Sequence, residues 1–592
     1  MKNYFYKKLI PIILCLAVIC SLFTSCGLKP VVSSSPSKSS SEEQQNFDAY
    51  TQKLFLQEVT GNTINLHYTL SDPASYGIKS HPISLGSMSK ESNDTATAQL
   101  ENMSAALAKF DYDTLTTQQK LTYDVLNSFY KEELDASDLY YYNEPLRPTT
   151  GTHSELPILL AEYAFYCPSD VTDYLSLLSC VEDSFQDIIS FEEEKSKEGL
   201  FMSDFAADTV IKSCQDFTEN PEENYLISTF NSRIDAMTDL SDEKKDTYKQ
   251  QNKSLVLNAV IPAYENLAAA LTRLKNTGSN QGGLCNFSNG TSYYEYLVRT
   301  NTGSDKDIPT LQKLTEQKRA EDISALHTIL AENPELINSD DSIPNMSDDP
   351  AAILQTLQKN MLVDFYPAAN TSFEINYVDP SLEGTLAPAF YLTAPLDQIS
   401  HNVIYINKGS NYSGIQLFTT LAHEGYPGHL YQTTGSYQAG LEPIRALLNY
   451  PGYVEGWATY VEMLSYHYAG LEENLAEMLM RNQSALLSLY ATIDMGIHYD
   501  GWTLADTTQF LNTYGISDST VIKNIYELVV EEPSHYLKYY IGYLEFLELK
   551  KYAKEELQDS YSDRDFHQAI INIGPAPFSI LKKYLKDFYQ TS

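Results

Sequence analysis

The run Leu421-Ala422-His423-Glu424-Gly425-Tyr426-Pro427-Gly428-His429-Leu430-Tyr431-Gln432 places two imidazoles and a carboxylate within seven residues. Two neutral imidazoles can hold a zinc ion and leave positions for a third protein ligand and for water. A glutamate beside the first ligand, here Glu424, can then take a proton from that water as general base, because bound zinc brings the water's pKa down to about 7. The spacing is not that of a straight helix. Residues i and i+4 lie about 40° apart around a helix, whereas i and i+6 lie about 240° apart, so a regular helix would turn His429 away from His423. Pro427-Gly428 is where the geometry can be corrected, since proline removes a helical N–H and a widened turn absorbs extra residues. The expectation is a kinked or widened turn that returns His429 to His423. The spacing by itself leaves open two unrelated histidines, one of them on a loop.

Downstream, Tyr453-Val454-Glu455-Gly456-Trp457-Ala458-Thr459-Tyr460-Val461-Glu462 reads as a helix. It offers Glu455 as third ligand, after enough chain for a loop and a return. Glu462, two turns further on the same face, is expected to support a ligand from behind. A solvated acidic face is the alternative, made less attractive by Trp457 and its apolar neighbours. Two later residues are candidates for holding charge on a tetrahedral intermediate. His498 ends a helical run with Asp494 at i−4, where a carboxylate could orient the ring. Tyr539 opens Tyr539-Tyr540-Ile541-Gly542. A helix-terminal histidine and a packing tyrosine are the plainer readings of the two.

The chain resembles the bacterial family catalogued as domain of unknown function 885, similar to zincin peptidases. The family's marker is H-E-x-x-P-G-H with leucine and glutamine nearby, then E-G-W-A-x-Y. Both occur here, at His423 to Gln432 and at Glu455 to Tyr460. The family often has a second histidine directly after P-G-H, where this chain has Leu430; that leaves His429 as the candidate ligand. Further matches are Met480-Arg481, Asp494 to His498, Gly501-Trp502-Thr503, Tyr539 to Gly542, Phe566-His567 with Gly574, and upstream Leu156 to Tyr163. The order of motifs is also similar to thimet-type oligopeptidases and the carboxypeptidase Taq group. The resemblance implies a large helical zincin-like metallopeptidase with a central cleft or channel, and a zinc peptidase cleaving peptides or flexible segments. A non-catalytic binding lipoprotein on the same fold, and a zinc hydrolase of another amide or ester, remain the competing functions.

The ends of the chain set its compartment. Lys2, Lys7 and Lys8 precede an apolar stretch from Leu9 to Phe23, and Thr24-Ser25-Cys26 follows. This reads as a signal peptide over 1–25 with lipidation at Cys26, although Phe23 replaces the usual smaller aliphatic residue. A simple anchor or an ordinary cleaved signal are the other possibilities. All three place the bulk of the chain outside the cytoplasm; the lipoprotein reading puts it at the cell surface with the lipid as its only membrane attachment. Ser-rich residues 26–45 are expected to form a tether. No later stretch has enough uninterrupted apolar residues to suggest a span. The formal charge of −38, from 78 acidic and 40 basic residues, becomes about −41 without the leader's three lysines. Nucleic acid is an unsuitable partner for such a surface. Cys167, Cys180, Cys214 and Cys285 form no C-x-x-C pair, so they provide no thiolate zinc site; disulfides and buried thiols both remain open.

The rest of the pattern predicts a mainly α chain. Residues 46–365 are expected to form a helical N-terminal lobe, exemplified by the helical spacing of Leu255 to Leu271 and of Tyr174 to Phe191. Residues 366–592 are expected to form the catalytic lobe. Within it, Ser372–Val378, Ala389–Leu392 and Asn402–Asn407 read as strands of a small sheet ahead of the motif.

Overall fold

The computed structural model describes residues 40–336, 346–368, 371–380, 383 and 386–589. The leader, the lipidation cysteine Cys26 and most of the serine-rich tether lie outside these residues. The fold is mainly α with one small three-stranded sheet, as the sequence predicts. The chain divides into two compact units. One runs to Gln281 and adds Pro395–Asp397; the other comprises Gly282–Ala394 and Gln398 onward. The boundary therefore falls about eighty residues before the expected 365/366. Two long helices ahead of position 365 pack with the motif-bearing helices, and that allegiance is a matter of tertiary pairing that local periodicity does not encode.

The N-terminal unit is all-helical among its described residues. Its first helix starts at Ser40, six residues before the expected start near Asn46. Glu42 and Glu43 suit the positive end of a helix. Glu43 and Gln44 also fasten it, accepting from Asp111 N and donating to Thr114 O. The core is built by Pro168–Lys197, Asp204–Thr218 and Ile261–Leu274, whose buried faces include Tyr174, Leu177, Val210, Tyr264, Leu267 and Leu271. Asp242–Leu274 is one helical rod with a π-turn at Val256–Val260 just before Pro262. By length and composition this rod is long and apolar enough to cross a membrane, contrary to expectation. Its apolar stripe, however, is spent on packing inside the unit. Cys167, Cys180, Cys214 and Cys285 are all free thiols.

In the C-terminal unit the main helices are α1 (Gly290–Thr302), α2 (Ile308–Glu332), α3 (Pro350–Asn360), α4 (Gly414–Glu424), α5 (His429–Gln438), α6 (Pro451–Tyr468), α7 (Glu473–His498), α8 (His535–Leu557) and α9 (Asp563–Ile573). The strands are β1 (Ser372–Tyr377), β2 (Ala389–Leu392) and β3 (His401–Ile406), in the order β1-β3-β2. All three sit where the sequence predicts them. β1 runs parallel to β3 and β2 antiparallel to it, with Phe390 opposite Tyr405 and their rings stacked 4.8 Å apart. Helix α4 is buried on every side, packed against β2, α3 and α6. That matches a sequence apolar almost all round. Helices α6 and α8 cross where Gly456 meets Gly542: a Cβ on Gly456 would lie 2.5 Å from the Gly542 backbone. This crossing brings the first turns of α8 beside Glu455.

Candidate metal centre

Helix α4 ends at Glu424, a new helix begins at His429, and four residues turn the chain between them. The correction expected at Pro427-Gly428 is thus a full break rather than a widened turn within one helix. The Tyr426–Pro427 bond is cis. Gly428 is required by packing, since a Cβ there would lie 1.7 Å from the His423 carbonyl oxygen and 2.4 Å from that of Ala422. From the far side, the indole Nε1–H of Trp457 donates to the Pro427 carbonyl at 2.9 Å. The Gln432 amide donates to the Tyr453 carbonyl at 3.1 Å. The E-G-W-A helix therefore fastens both ends of the break.

The outcome is that His429 faces His423, ring centroids 4.8 Å apart and nearly perpendicular. Glu455 Oε2 lies 3.6 Å from Nε2 of each histidine. The three ligand atoms fall within 4.8 Å of one another, and all three residues are buried. Behind them, Glu462 Oε2 sits 3.2 Å from His423 Nδ1. It fixes the ring and points Nε2 inward. His423 Nε2 and Glu455 Oε2 are buried without a hydrogen-bond partner. Orphaned polar atoms are costly in an interior. A convergent His-His-Glu donor set with two such atoms is what a tetrahedral divalent ion would satisfy, so the residues fit the metal that the motif implies.

Charge reinforces this reading. Burial alone would depress His423, but the carboxylates of Glu455 and Glu462 outweigh it and hold the imidazole up at about 10. Burial alone would raise Glu455; His423, His429 and Lys538 instead hold it well below the usual carboxylate range. Glu424 differs from both: burial raises it, and the nearby histidines only partly offset that. Its Oε2 accepts the Tyr391 backbone N–H of strand β2 at 2.9 Å, while Oε1 is buried with no partner.

Tyr539 comes to this cluster, its ring 6.4 Å from that of His423. His498 is otherwise engaged. Its Nδ1 accepts from Leu284 N at 3.1 Å and its Nε2 donates to Val529 O at 2.8 Å. Both ring nitrogens serve the backbone, and the ring is fully buried. Asp494 accepts from the Tyr294 hydroxyl and from Ser534 N, so its carboxylate ties α7 to α1 and to the start of α8. The expectation that this pair stabilises an oxyanion is corrected accordingly: a histidine at a helix end has carbonyls and N–H groups within reach, and here they have claimed it. Sequence reading missed Lys538, whose Nζ is 3.9 Å from Glu455 Oε1, and His535, whose ring is 5.8 Å from that of Tyr539. The signal was present, since His535, Lys538, Tyr539 and Gly542 share one helix face.

The profile of the family described as "Bacterial protein of unknown function (DUF885)" matches residues 74–585. A solved structure of "the putative lipoprotein from Colwellia psychrerythraea" superposes with TM-score 0.82 at 18% identity, covering 93% of this chain and 100% of that one. "A putative lipoprotein of unknown function from Shewanella oneidensis" superposes with TM-score 0.60 at 14% identity, covering 91% and 99%. These two likenesses establish a shared fold. A third structure, "a putative oligoendopeptidase F from Bacillus anthracis str. Ames", reaches TM-score 0.28 at 10% identity over 83% and 95%, too distant to bear on fold or reaction. No functionally curated protein matches the chain.

Proposed function

The chain belongs to the bacterial family of unknown function DUF885, and from its site we propose that it is a zinc-dependent hydrolase acting on peptides. One observation supports this above the others. The buried His423–His429–Glu455 donor set adjoins a glutamate anchored through one oxygen and unpartnered at the other. Zinc bound by those three residues would supply Lewis acidity, lowering the pKa of water to about 7 and polarising a carbonyl.

The protein's own groups divide the remaining work. Glu462 holds His423 through Nδ1, so that Nε2 is the nitrogen presented. The Tyr391 N–H fixes the Glu424 carboxylate, and Oε1 is left to take a proton from the attacking water and pass it to the departing amine. Burial raises Glu424, which brings its affinity for a proton closer to neutral pH and suits a group that both accepts and returns one. Tyr539, whose ring lies 6.4 Å from that of His423, is the proposed donor to oxygen as negative charge develops. Peptide is favoured as substrate because amide hydrolysis needs this combination of proton shuttle and oxyanion donor. The lipobox-like sequence at Cys26 and the names of the two structural relatives support a lipid-anchored location outside the cytoplasm.

The test is Glu424→Gln in the mature protein, with zinc content measured alongside cleavage of a mixed peptide library read by mass. Activity should fall by about 10²- to 10⁴-fold, the usual worth of general acid–base catalysis, with zinc retained. Loss of zinc together with activity would make Glu424 a ligand instead. A zinc-loaded wild type that cleaves no peptide would favour the non-catalytic binding lipoprotein.

A further inference from the structure

Lys538 lies on the first turns of α8 and is only 8% exposed. Its nearest counter-charge is Glu455 Oε1 at 3.9 Å, beyond hydrogen-bond reach. Among the described residues it donates no hydrogen bond. An ammonium has three N–H donors, and one long ion pair leaves all three without a hydrogen-bonded protein partner. Glu455 faces the two histidines through Oε2 and leaves Oε1 toward Lys538, but at a distance too long for a hydrogen bond. The Lys538 ammonium sits 5.1 Å from the centroid of the Tyr539 ring, beside the residue assigned to the oxyanion.

The surroundings otherwise oppose anionic ligands, with Glu424, Glu455 and Glu462 converging on the same few ångströms. A cation kept here without hydrogen-bonded protein partners is suited to a negative group that arrives from outside. Resting on the hydrolase reading above, we propose that Lys538 is a substrate-binding residue that recognises a carboxylate, so that the preferred substrates bear one next to the scissile bond. Two sources share that chemistry: the free C-terminal carboxylate of a peptide, and an acidic side chain. The first would make the enzyme act at chain ends.

The experiment measures binding and turnover separately. Three N-blocked alanine peptides are compared: the free acid, the C-terminal amide, and an amide with one internal glutamate. Calorimetric binding uses zinc-loaded full-length mature protein carrying Glu424→Gln, with and without Lys538→Met or Lys538→Arg. The free acid should bind about 10- to 100-fold more tightly than the amide, the worth of one charge-assisted hydrogen bond. Lys538→Met should erase that ratio and Lys538→Arg should retain part of it. If the glutamate amide gains instead and loses its advantage in Lys538→Met, the side chain is the source and the carboxylate assignment stands. Equal binding of all three peptides would overturn the proposal, as would binding of none. So would a Lys538→Met protein whose zinc affinity changes while the ratios do not, for Lys538 would then only balance Glu455. Turnover by wild type separates the two claims. Cleavage without acid preference sinks the carboxylate site alone, whereas Lys538-dependent binding without cleavage sinks the hydrolase alone.

Discussion

Replacing Gly456 with alanine probes the crossing on which the arrangement depends. The new Cβ would lie 2.5 Å from both the Cα and the carbonyl carbon of Gly542, whereas ordinary van der Waals contact begins near 3.4 Å. Neither atom belongs to a flexible side chain, so α6 and α8 must separate by roughly 0.9 Å, the difference of those two distances. Overpacking of this kind costs about 1–3 kcal/mol. Alanine recovers about 0.5–1 kcal/mol over glycine inside a helix, leaving a net loss of about 0–2.5 kcal/mol. The catalytic effect should be larger in proportion. Glu455 rides on α6, whereas Lys538 and Tyr539 ride on α8, so the separation opens one side of the centre from the other. A displacement of about 1 Å can cost about 10²-fold in rate. Urea unfolding should show the stability loss. Steady-state assays should show kcat lowered by about 10²-fold, and metal analysis should show zinc near one per chain, because no ligand lies on α8. A variant with wild-type midpoint and wild-type kcat would refute the close contact of α6 with α8, and with it the claim that this contact sets the geometry.

Three further outcomes follow from the site and its surroundings. His429→Ala should lose most of the zinc measured in the purified protein, as should His423→Ala and Glu455→Ala; full zinc in the His429 variant would detach α5 from the metal. Tyr539→Phe should lower kcat by about 10²-fold with KM and zinc little changed, the signature of a donor used only in the transition state; near-normal kcat would remove Tyr539 from the reaction. His567 supplies a pH prediction. Burial, aided by Lys550, lowers this imidazole to about 3, and it stays neutral between the Tyr460 hydroxyl and the Asp364 carbonyl. A depressed histidine is fully compatible with folding above the unfolded value near 6.5 and increasingly opposes it as pH falls toward 3. Relative to His567→Gln, wild type should therefore lose about 1.4 kcal/mol per pH unit between pH 6 and pH 4 in denaturant unfolding. A flat difference across that window would show that His567 protonates freely.

The residues that were legible from sequence are those whose partners are close in the chain or fixed by a repeat. The three strands followed from short runs that read as strands, Ser372–Val378 by its alternation. Glu462 followed from its two-turn offset to Glu455, and the need for a turn at Pro427-Gly428 followed from the mismatch of six residues with the helical period. What remained hidden depends on distant chain. The unit boundary moved to 281/282 because α1 and α2 pack with α7 and α8, a pairing that no local pattern announces. His498 and Asp494 had the right spacing for a catalytic pair, but Leu284, Val529, Tyr294 and Ser534 reach them from remote segments. Lys538 was passed over for the opposite reason: a lysine on a helix is ordinarily solvated, and only the Gly456–Gly542 crossing makes this one buried.

The depth of the centre also bears on how quickly an ion could come and go. His423 and Glu424 have no exposed surface, Glu455 has 2% and His429 has 6%. Ligands so enclosed are not reached directly from solution, so a chelator, like the substrate, must gain the ion through a local opening of the helices around it. The rate of zinc loss should then reach a plateau as chelator concentration rises, a plateau set by the opening rate alone. A protein built this way would keep its metal by slow exchange as well as by affinity.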